Sequence, residues 1–216
     1  MADKKRGIVF DVDGTLWDSC AVVADSWNEW LLANAPDAEP VLTGADMRRV
    51  MGLTMAQIGD ALFAGLPDKR RLEVTEGCCE YEVEYLQDHS GEVYPGLSET
   101  LRSLSASYPL FIVSNCQVGY IEVTMKWCGI EDIISDFESF GATGLFKVDN
   151  LKLLLERNGL DEAIYIGDTQ GDYESARGAG MTFIHAGYGF GKVEDPAVPR
   201  IQDIRELPDL INKLWK

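Results

Sequence analysis

Histidine is scarce in this 216-residue chain: there are two, His89 and His185, too few for a histidine-rich metal site. Cations are short as well, with Lys+Arg 19 against Asp+Glu 36 and a formal net charge of −17. A nucleic-acid surface needs a basic stripe, so this balance argues against that class. It leaves a small phosphorylated ligand open, because a local cation can reverse the field at one site. No apolar run approaches the roughly 18 residues of a membrane span. The opening MADKKRGIVF lacks an apolar h-region of about 7–15 residues, so no signal peptide is expected. The five cysteines, Cys20, Cys78, Cys79, Cys116 and Cys128, are odd in number and match no zinc spacing. Free thiols in a reducing cytoplasm are expected. There is no internal repeat, low-complexity segment or long linker.

What is present is an ordinary globular composition, 46% hydrophobic and 25% charged, in a chain long enough for one ample core or a core plus a small second domain. One stretch organises it: GIVFDVDGTLWDS, residues 7–19. Gly7 to Phe10 is a short apolar run of the buried-strand kind. It stops in Asp11-Val12-Asp13-Gly14-Thr15, two carboxylates two residues apart and then a glycine that frees the backbone to turn. Residues i and i+2 of a strand share a face, so in extended geometry both carboxylates point at one spot beyond the sheet. Open α/β sheets place their ligands at that end. An acidic turn has the same composition. A calcium loop fits poorly, because the positions that an EF-hand gives to Gly and Glu hold Leu16 and Val22. The chemical reading is a nucleophilic Asp beside an acid/base Asp, with a divalent cation between phosphate and carboxylate.

Apolar spacing predicts helices over Ser19 to Leu32, with Ser19 as N-cap and an end at Ala35-Pro36 and Glu39-Pro40; over Ala45 to Phe63, interrupted at Gly52-Leu53-Thr54; and over Pro67 to Gln87. Residues 18–88 therefore read as an all-helical insertion. Val93 to Gly96 reads as a turn and Leu97 to Ser107 as a helix. Pro109 to Asn115, PLFIVSN, is a second apolar strand ending in small polar residues. Gln117 to Cys128 is predicted helical and closed by Gly129, Ile133 to Phe140 irregular or a short strand, and Val148 to Asn158 helical. Ala163 to Gly167 is a strand ending in Asp168, Gln170 to Gly178 a helix, and Met181 to His185 a strand. Ile201 to Trp215 gives a short strand or turn and a helix. Strands alternating with helices of these lengths imply a mostly parallel, doubly wound sheet.

In a parallel sheet the polar strand ends Asp11/Asp13, Ser114/Asn115 and Asp168 lie on one edge. Phosphoryl transfer needs a nucleophile, donors for the phosphate oxygens, positive charge and commonly Mg²⁺. An Asp can act through an aspartyl phosphate. Ser114 and Asn115 can donate hydrogen bonds, and Lys147 can bring charge. Asp168 and Asp172 add carboxylates for a hard cation. Asn115 has a second reading as a cap for the next helix.

DVDGT (11–15), FIVSN (111–115), Lys147 and GDTQGD (167–172) fall in the order of the four motifs of the haloacid dehalogenase-like hydrolase superfamily. The chain resembles its phosphoglycolate phosphatase-like and β-phosphoglucomutase-like group with a small helical cap. The resemblance implies a Rossmann-like α/β core at 1–17 and 89–216 and a cap at 18–88. It implies that Asp11 attacks phosphorus, and that Asp13 protonates the leaving oxygen and later activates water. It places Thr15, Ser114, Asn115 and Lys147 on the phosphate side, Thr15 also supporting Asp13. It gives Mg²⁺ to Asp11, Asp13, Asp168 and Asp172, Asp172 acting through water or steadying Lys147. Val148 stands where the third motif often has proline. Lys152, a turn and a half into the helix, reads as a solvated lysine. The implied substrate is a small phosphorylated metabolite, handled by a cytoplasmic monomer or homodimer without nucleic acid or membrane.

Within the insertion, Arg49 ahead of Met51-Gly52-Leu53 is the candidate substrate contact, with a plain surface arginine as the other reading. The segment is similar to the cap of phosphonoacetaldehyde hydrolases, but Met55 stands where their Schiff-base lysine falls, and a thioether forms no imine. Dehalogenase relatives lack the second Asp, which is present here as Asp13. Trp27, Trp30, Met47 and Met51 read as core. His185 reads as a structural histidine, and Gly187 to Gly191 as a loop near the site rather than a nucleotide cradle. The alternatives are a phosphosugar mutase using the same aspartyl phosphate and a non-catalytic regulatory member. All of Asp11, Asp13, Lys147 and Asp168 being present weighs against the latter.

Overall fold

A computed structural model describes residues 4–38 and 41–216. In chain order the elements are β1 (Arg6–Phe10), β2 (Trp17–Asp18), α1 (Cys20–Asn34), α2 (Gly44–Val50), α3 (Met55–Leu62), α4 (Asp68–Tyr85), β3 (Glu92–Val93), α5 (Leu97–Ser105), β4 (Leu110–Ser114) and α6 (Tyr120–Cys128). They continue with β5 (Ile134–Ser139), α7 (Phe140–Thr143), α8 (Lys147–Asn158), β6 (Glu162–Gly167), α9 (Gln170–Gly178), β7 (Thr182–Ala186), β8 (Arg200–Ile201) and α10 (Leu207–Leu214).

Six strands form one sheet in the order β5-β4-β1-β6-β7-β8, and every pairing in it is parallel. The chain winds outward from β1 in both directions, so the topological switch lies beside β1, where such sheets bind ligands. Alternation along each strand feeds two apolar layers. Ile8, Phe10, Ile112 and Ile164 share one buried cluster with Leu101 of α5, Ile121 of α6 and Ile211 of α10. Val9, Phe111, Val113 and Tyr165 share the other with Leu151 and Leu154 of α8 and Ala176 of α9. Both faces are therefore covered, as a parallel sheet requires. Gly7 lets β1 lie close to its neighbours, since a Cβ there would meet Leu160 and Phe111 at 2.8 Å.

Helices α1–α4 lie between β2 and β3 and extend the first cluster through Trp27, Met47, Ile58, Val74 and Cys78. The break between α2 and α3 comes at Gly52, whose φ of 83° is in the left-handed region. That turn reaches the strand ends: Gly52 O accepts from Asn115 Nδ2 at 2.8 Å.

Three local readings change. Trp17–Asp18 is a strand, paired antiparallel with Glu92–Val93, so the return to the sheet is a two-stranded ribbon where a plain turn was expected. Residues 134–139 form a parallel edge strand of six residues, which resolves a stretch read as irregular or a short strand. α6 begins at Tyr120, behind Gly119 with φ 91°. The expected helix end at Glu39-Pro40 lies outside the described residues. No helix among them is long and apolar enough to cross a membrane.

Candidate active site

Asp11 follows β1, and its N–H donates to Ile166 O of β6 at 2.9 Å, so the sheet ladder fixes it. Lys147, the first residue of α8, is 4% exposed and bonds Asp11 Oδ1 at 2.8 Å and Asp172 Oδ1 at 2.6 Å. Burial opposes its charge, but the two carboxylates more than offset this and hold the ammonium above its ordinary range. Asp172 is buried too, yet Lys147 and the Thr169 donors keep it ionised, below the usual carboxylate range. Its Oδ2 accepts from Thr169 N–H and Oγ1 at 3.0 and 2.7 Å, while Thr169 Oγ1 accepts from Asp172 N–H at 3.1 Å. This reciprocal cap at the start of α9 fixes Asp172 before it meets Lys147.

Asp168 Oδ2 accepts from the N–H groups of Phe190 and Gly191 at 2.7 and 3.0 Å. Its Oδ1 is buried with no hydrogen-bond partner. Burial, then the charge of Asp172, lifts Asp168 to about 7. Burial likewise raises Asp11 well above the ordinary range, with Asp172 adding and Lys147 opposing. Asp11, Asp168 and Asp172 offer oxygens within 4.8 Å of one another. An orphaned buried carboxylate oxygen inside an all-oxygen acidic cluster suits a hard divalent cation such as Mg²⁺. A cation there would restore the ionised forms that burial disfavours.

Asp13 lies on the other side of the turn. Its Oδ1 accepts from Ser19 Oγ and Tyr120 Oη, both at 2.6 Å. Burial raises its carboxyl, and the two hydroxyls pull it part of the way back. Gly14, with φ 77°, turns the chain just after Asp13, and a side chain there would overlap the Asp168 carboxylate. Asp13 and Ser114 line a cavity of about 30 Å³ under α1–α4, together with Glu82, Asn115, Gln117 and Tyr120. A larger cavity of about 450 Å³ runs past Lys147, Thr169 and Asp172.

The model of the haloacid dehalogenase-like hydrolases matches residues 8–186.

The chain belongs to this family.

Among the relatives of this haloacid dehalogenase-like hydrolase are the phosphoglycolate phosphatases of Rhodospirillum rubrum and Mannheimia succiniciproducens. The first is 27% identical over 198 residues, covering 87% of this chain and 81% of the relative. The second is 29% identical over 198 residues, covering 85% and 86%. A haloacid dehalogenase-like family hydrolase from Streptococcus pneumoniae has the same fold, with a TM-score of 0.80 at 22% identity, over 98% of this chain and 100% of that one.

In this hydrolase the sheet edge brings together Asp11, Asp13, Ser114, Lys147, Asp168 and Asp172. Four residues are placed differently from the simplest expectation. Arg49 lies exposed on α2 with its guanidinium on Asp46, and it lines neither cavity. Asn115 does not cap α6; one of its two Nδ2 hydrogens goes to Gly52 O. Ser19 makes no side-chain cap at α1; its hydroxyl goes to Asp13 instead. Thr15 Oγ1 is buried and bonds no protein atom, so its support of Asp13 is not a side-chain hydrogen bond. Both oxygens of Asp172 are engaged, the arrangement of a residue that steadies Lys147. Lys152 is exposed beside Asp149, and Met55 packs its sulfur on Cys79. His185 is structural: Nδ1 accepts from Arg200 Nε at 2.9 Å, leaving Nε2 to donate to Asp168 O at 3.0 Å. Burial and Arg200 lower its pKa, so it stays neutral. The glycine-rich loop serves the site by fixing Asp168 through two backbone N–H groups. Tyr120, Glu82 and Gln117 carried no motif signal; Tyr120 and Glu82 sit on helices and Gln117 on the loop before α6, brought to the site only by packing.

Proposed function

We propose that this hydrolase cleaves phosphomonoesters of small metabolites through an aspartyl phosphate with Mg²⁺. The observation that carries the reading is the buried Lys147 ammonium, shared by Asp11 and Asp172 beside the unpartnered Asp168 Oδ1. The names of the phosphoglycolate phosphatase relatives support the phosphomonoester class. Asp11 attacks phosphorus while the ester P–O bond breaks. Asp13 gives its proton to the departing alkoxide, which leaves as the alcohol. Asp13, now ionised, takes a proton from water as that water attacks the aspartyl phosphate, releasing phosphate and freeing Asp11. The raised pKa of Asp13 suits the first step, and the Ser19 and Tyr120 donors suit the ionised form in the second. Lys147 holds Asp11 in place and neutralises phosphate charge. Asp11, Asp168 and the Asp13 backbone carbonyl would hold Mg²⁺, which when bound neutralises charge building on the phosphoryl oxygens.

In this reading residues 18–88 act as a cap that shields the reaction from water. The five free and buried cysteines suit a reducing compartment, so we place the protein in the cytoplasm.

The test is steady-state phosphate release from a panel of phosphorylated metabolites and an aryl phosphate, with Mg²⁺ and with EDTA. Activity is expected only with the cation, and Asp11→Asn is expected to lose at least about 10³-fold in kcat. Equal rates for wild type and Asp11→Asn would remove the nucleophile assignment. Phosphoryl transfer to a sugar without net phosphate release would favour a mutase.

A further inference from the structure

The small cavity beside Asp13 is where the alcohol part of a substrate must lie, because Asp13 is the residue that protonates the leaving oxygen. Its walls are mostly apolar, from Val23, Trp27, Met47, Leu53 and Ile58. It contains no lysine or arginine. Instead it holds Glu82 of α4, 5% exposed, whose two oxygens accept from Trp27 Nε1 and from Gln117 Nε2 at 3.0 Å. Asn115 lines the same cavity, and its Oδ1 is buried and accepts no hydrogen bond from the protein. The amide oxygen of Asn115 and the ionised form of Glu82 are acceptors.

Cations from the insertion do not correct this balance. Arg48 is held by Asp18, Arg49 by Asp46, Lys69 by Glu73, Arg70 by Asp37 and Arg71 by Asp60 and Asp68. Lys147 is already shared between two carboxylates. A ligand carboxylate placed here would lose its water without gaining a counter-charge.

We propose that the substrate is the phosphate ester of a short alcohol carrying a hydrogen-bond donor, an ammonium or a hydroxyl, which Glu82 and Asn115 Oδ1 receive, and that substrates with a carboxylate at that place are rejected. The proposal rests on the phosphatase reading above and names its substrate class. It separates this chain from the substrate named for its phosphoglycolate phosphatase relatives. The cavity volume, about 30 Å³, matches an alcohol of only a few heavy atoms, since one water needs about 10–15 Å³ on the same measure. Burial lifts Glu82 to about 8, with Trp27 and Gln117 pulling it back. Near neutral pH an arriving ammonium can therefore convert it to the carboxylate and form a buried, hydrogen-bonded pair.

Three esters of nearly equal length test it: 2-aminoethyl phosphate, 2-hydroxyethyl phosphate and 2-phosphoglycolate, each with Mg²⁺ and the wild-type enzyme. The expected result is a kcat/KM for one or both donor-bearing esters at least about tenfold above that for 2-phosphoglycolate. Glu82→Gln should narrow that gap by about tenfold, mainly by slowing the ammonium ester, with hydrolysis of acetyl phosphate as the reference for an intact chemical step. A preference for 2-phosphoglycolate, or equal rates for all three with acetyl phosphate hydrolysed, would overturn the inference and leave the phosphatase reading standing. An unchanged ranking in a folded Glu82→Gln would overturn the role of Glu82. Should that variant not fold, the wild-type ranking decides alone. No hydrolysis of any of the four compounds would overturn both readings.

Discussion

At Asp13 two hydroxyls meet one carboxylate oxygen, Ser19 Oγ and Tyr120 Oη. Both donate to the ionised form, which burial disfavours, so they set how readily the residue passes between acid and base. A hydrogen bond to a charged group contributes about 1.5–3 kcal/mol. Tyr120→Phe is therefore expected to lower kcat by about 10- to 100-fold and to move the pH–rate limb governed by Asp13 upward. Its melting temperature should change little, because the ring packing on Trp17 survives. A fall in melting temperature matching the fall in rate would reduce Tyr120 to a packing residue. Gly14 is the other single position on which the site turns. Gly14→Ala adds a side chain at φ 77° against the Asp168 carboxylate. Strain of about 1–3 kcal/mol is expected, with loss of Mg²⁺ binding by titration calorimetry. Normal binding in that variant would mean that Asp168 is not needed to hold the cation.

At the scale of elements, α9 shows how a helix start becomes part of a site. Thr169 and Asp172 cap each other, and the same Asp172 carboxylate anchors Lys147 from α8. Removing a cap of this kind costs about 1 kcal/mol, a shift of about 2–4 °C in a chain of this size. Thr169→Ala is expected to show that shift in calorimetry together with a lower kcat, because Asp172 is then less firmly oriented. Thr169→Ser should restore both. Recovery of stability without recovery of rate would break the link between cap and site. The turn between α2 and α3 is a second such device, since Gly52 O holds Asn115 and thereby joins the helical insertion to the end of β4.

Across the whole molecule the apolar surface closes on itself in two layers, and the insertion shares one of them with the sheet. All five cysteines lie inside. Burial pushes their thiols up, Cys128 to about 12 and the others higher still. The thiolate is the reactive form. The native protein is therefore expected to react slowly with Ellman's reagent at pH 8, and the denatured protein to titrate five thiols at once. Rapid reaction of one thiol in the native state would mean local opening at that element. The charge of −17 leaves the site's chemistry to local groups, since Lys147 is buried among carboxylates and set apart from the acidic surface.

By itself the sequence determined the doubly wound sheet and the acidic edge. Short β-branched runs such as GIVF and FIVS, bounded by turn residues, read as buried strands, and polar residues that follow parallel strands gather at one edge. It determined the glycine at position 14 as a turn and Lys147 as the charge, because both lie within short ordered motifs. It misjudged residues whose roles depend on what packs on them. Ser19 has the composition of a helix cap, but the hydroxyl turns to Asp13 because the Asp13-to-Trp17 turn brings the two together. At Arg49 the sequence left a ligand contact and a surface arginine both open, and the structure pairs the residue with Asp46 at the surface. Tyr120, Glu82 and Gln117 were invisible in the pattern, since Glu82 is 35 residues from Gln117 and Tyr120 is 107 from Asp13. Only the tertiary structure decided what faces the cavity, because contacts over such separations are set by how helices pack on the sheet and leave no periodic trace in the chain.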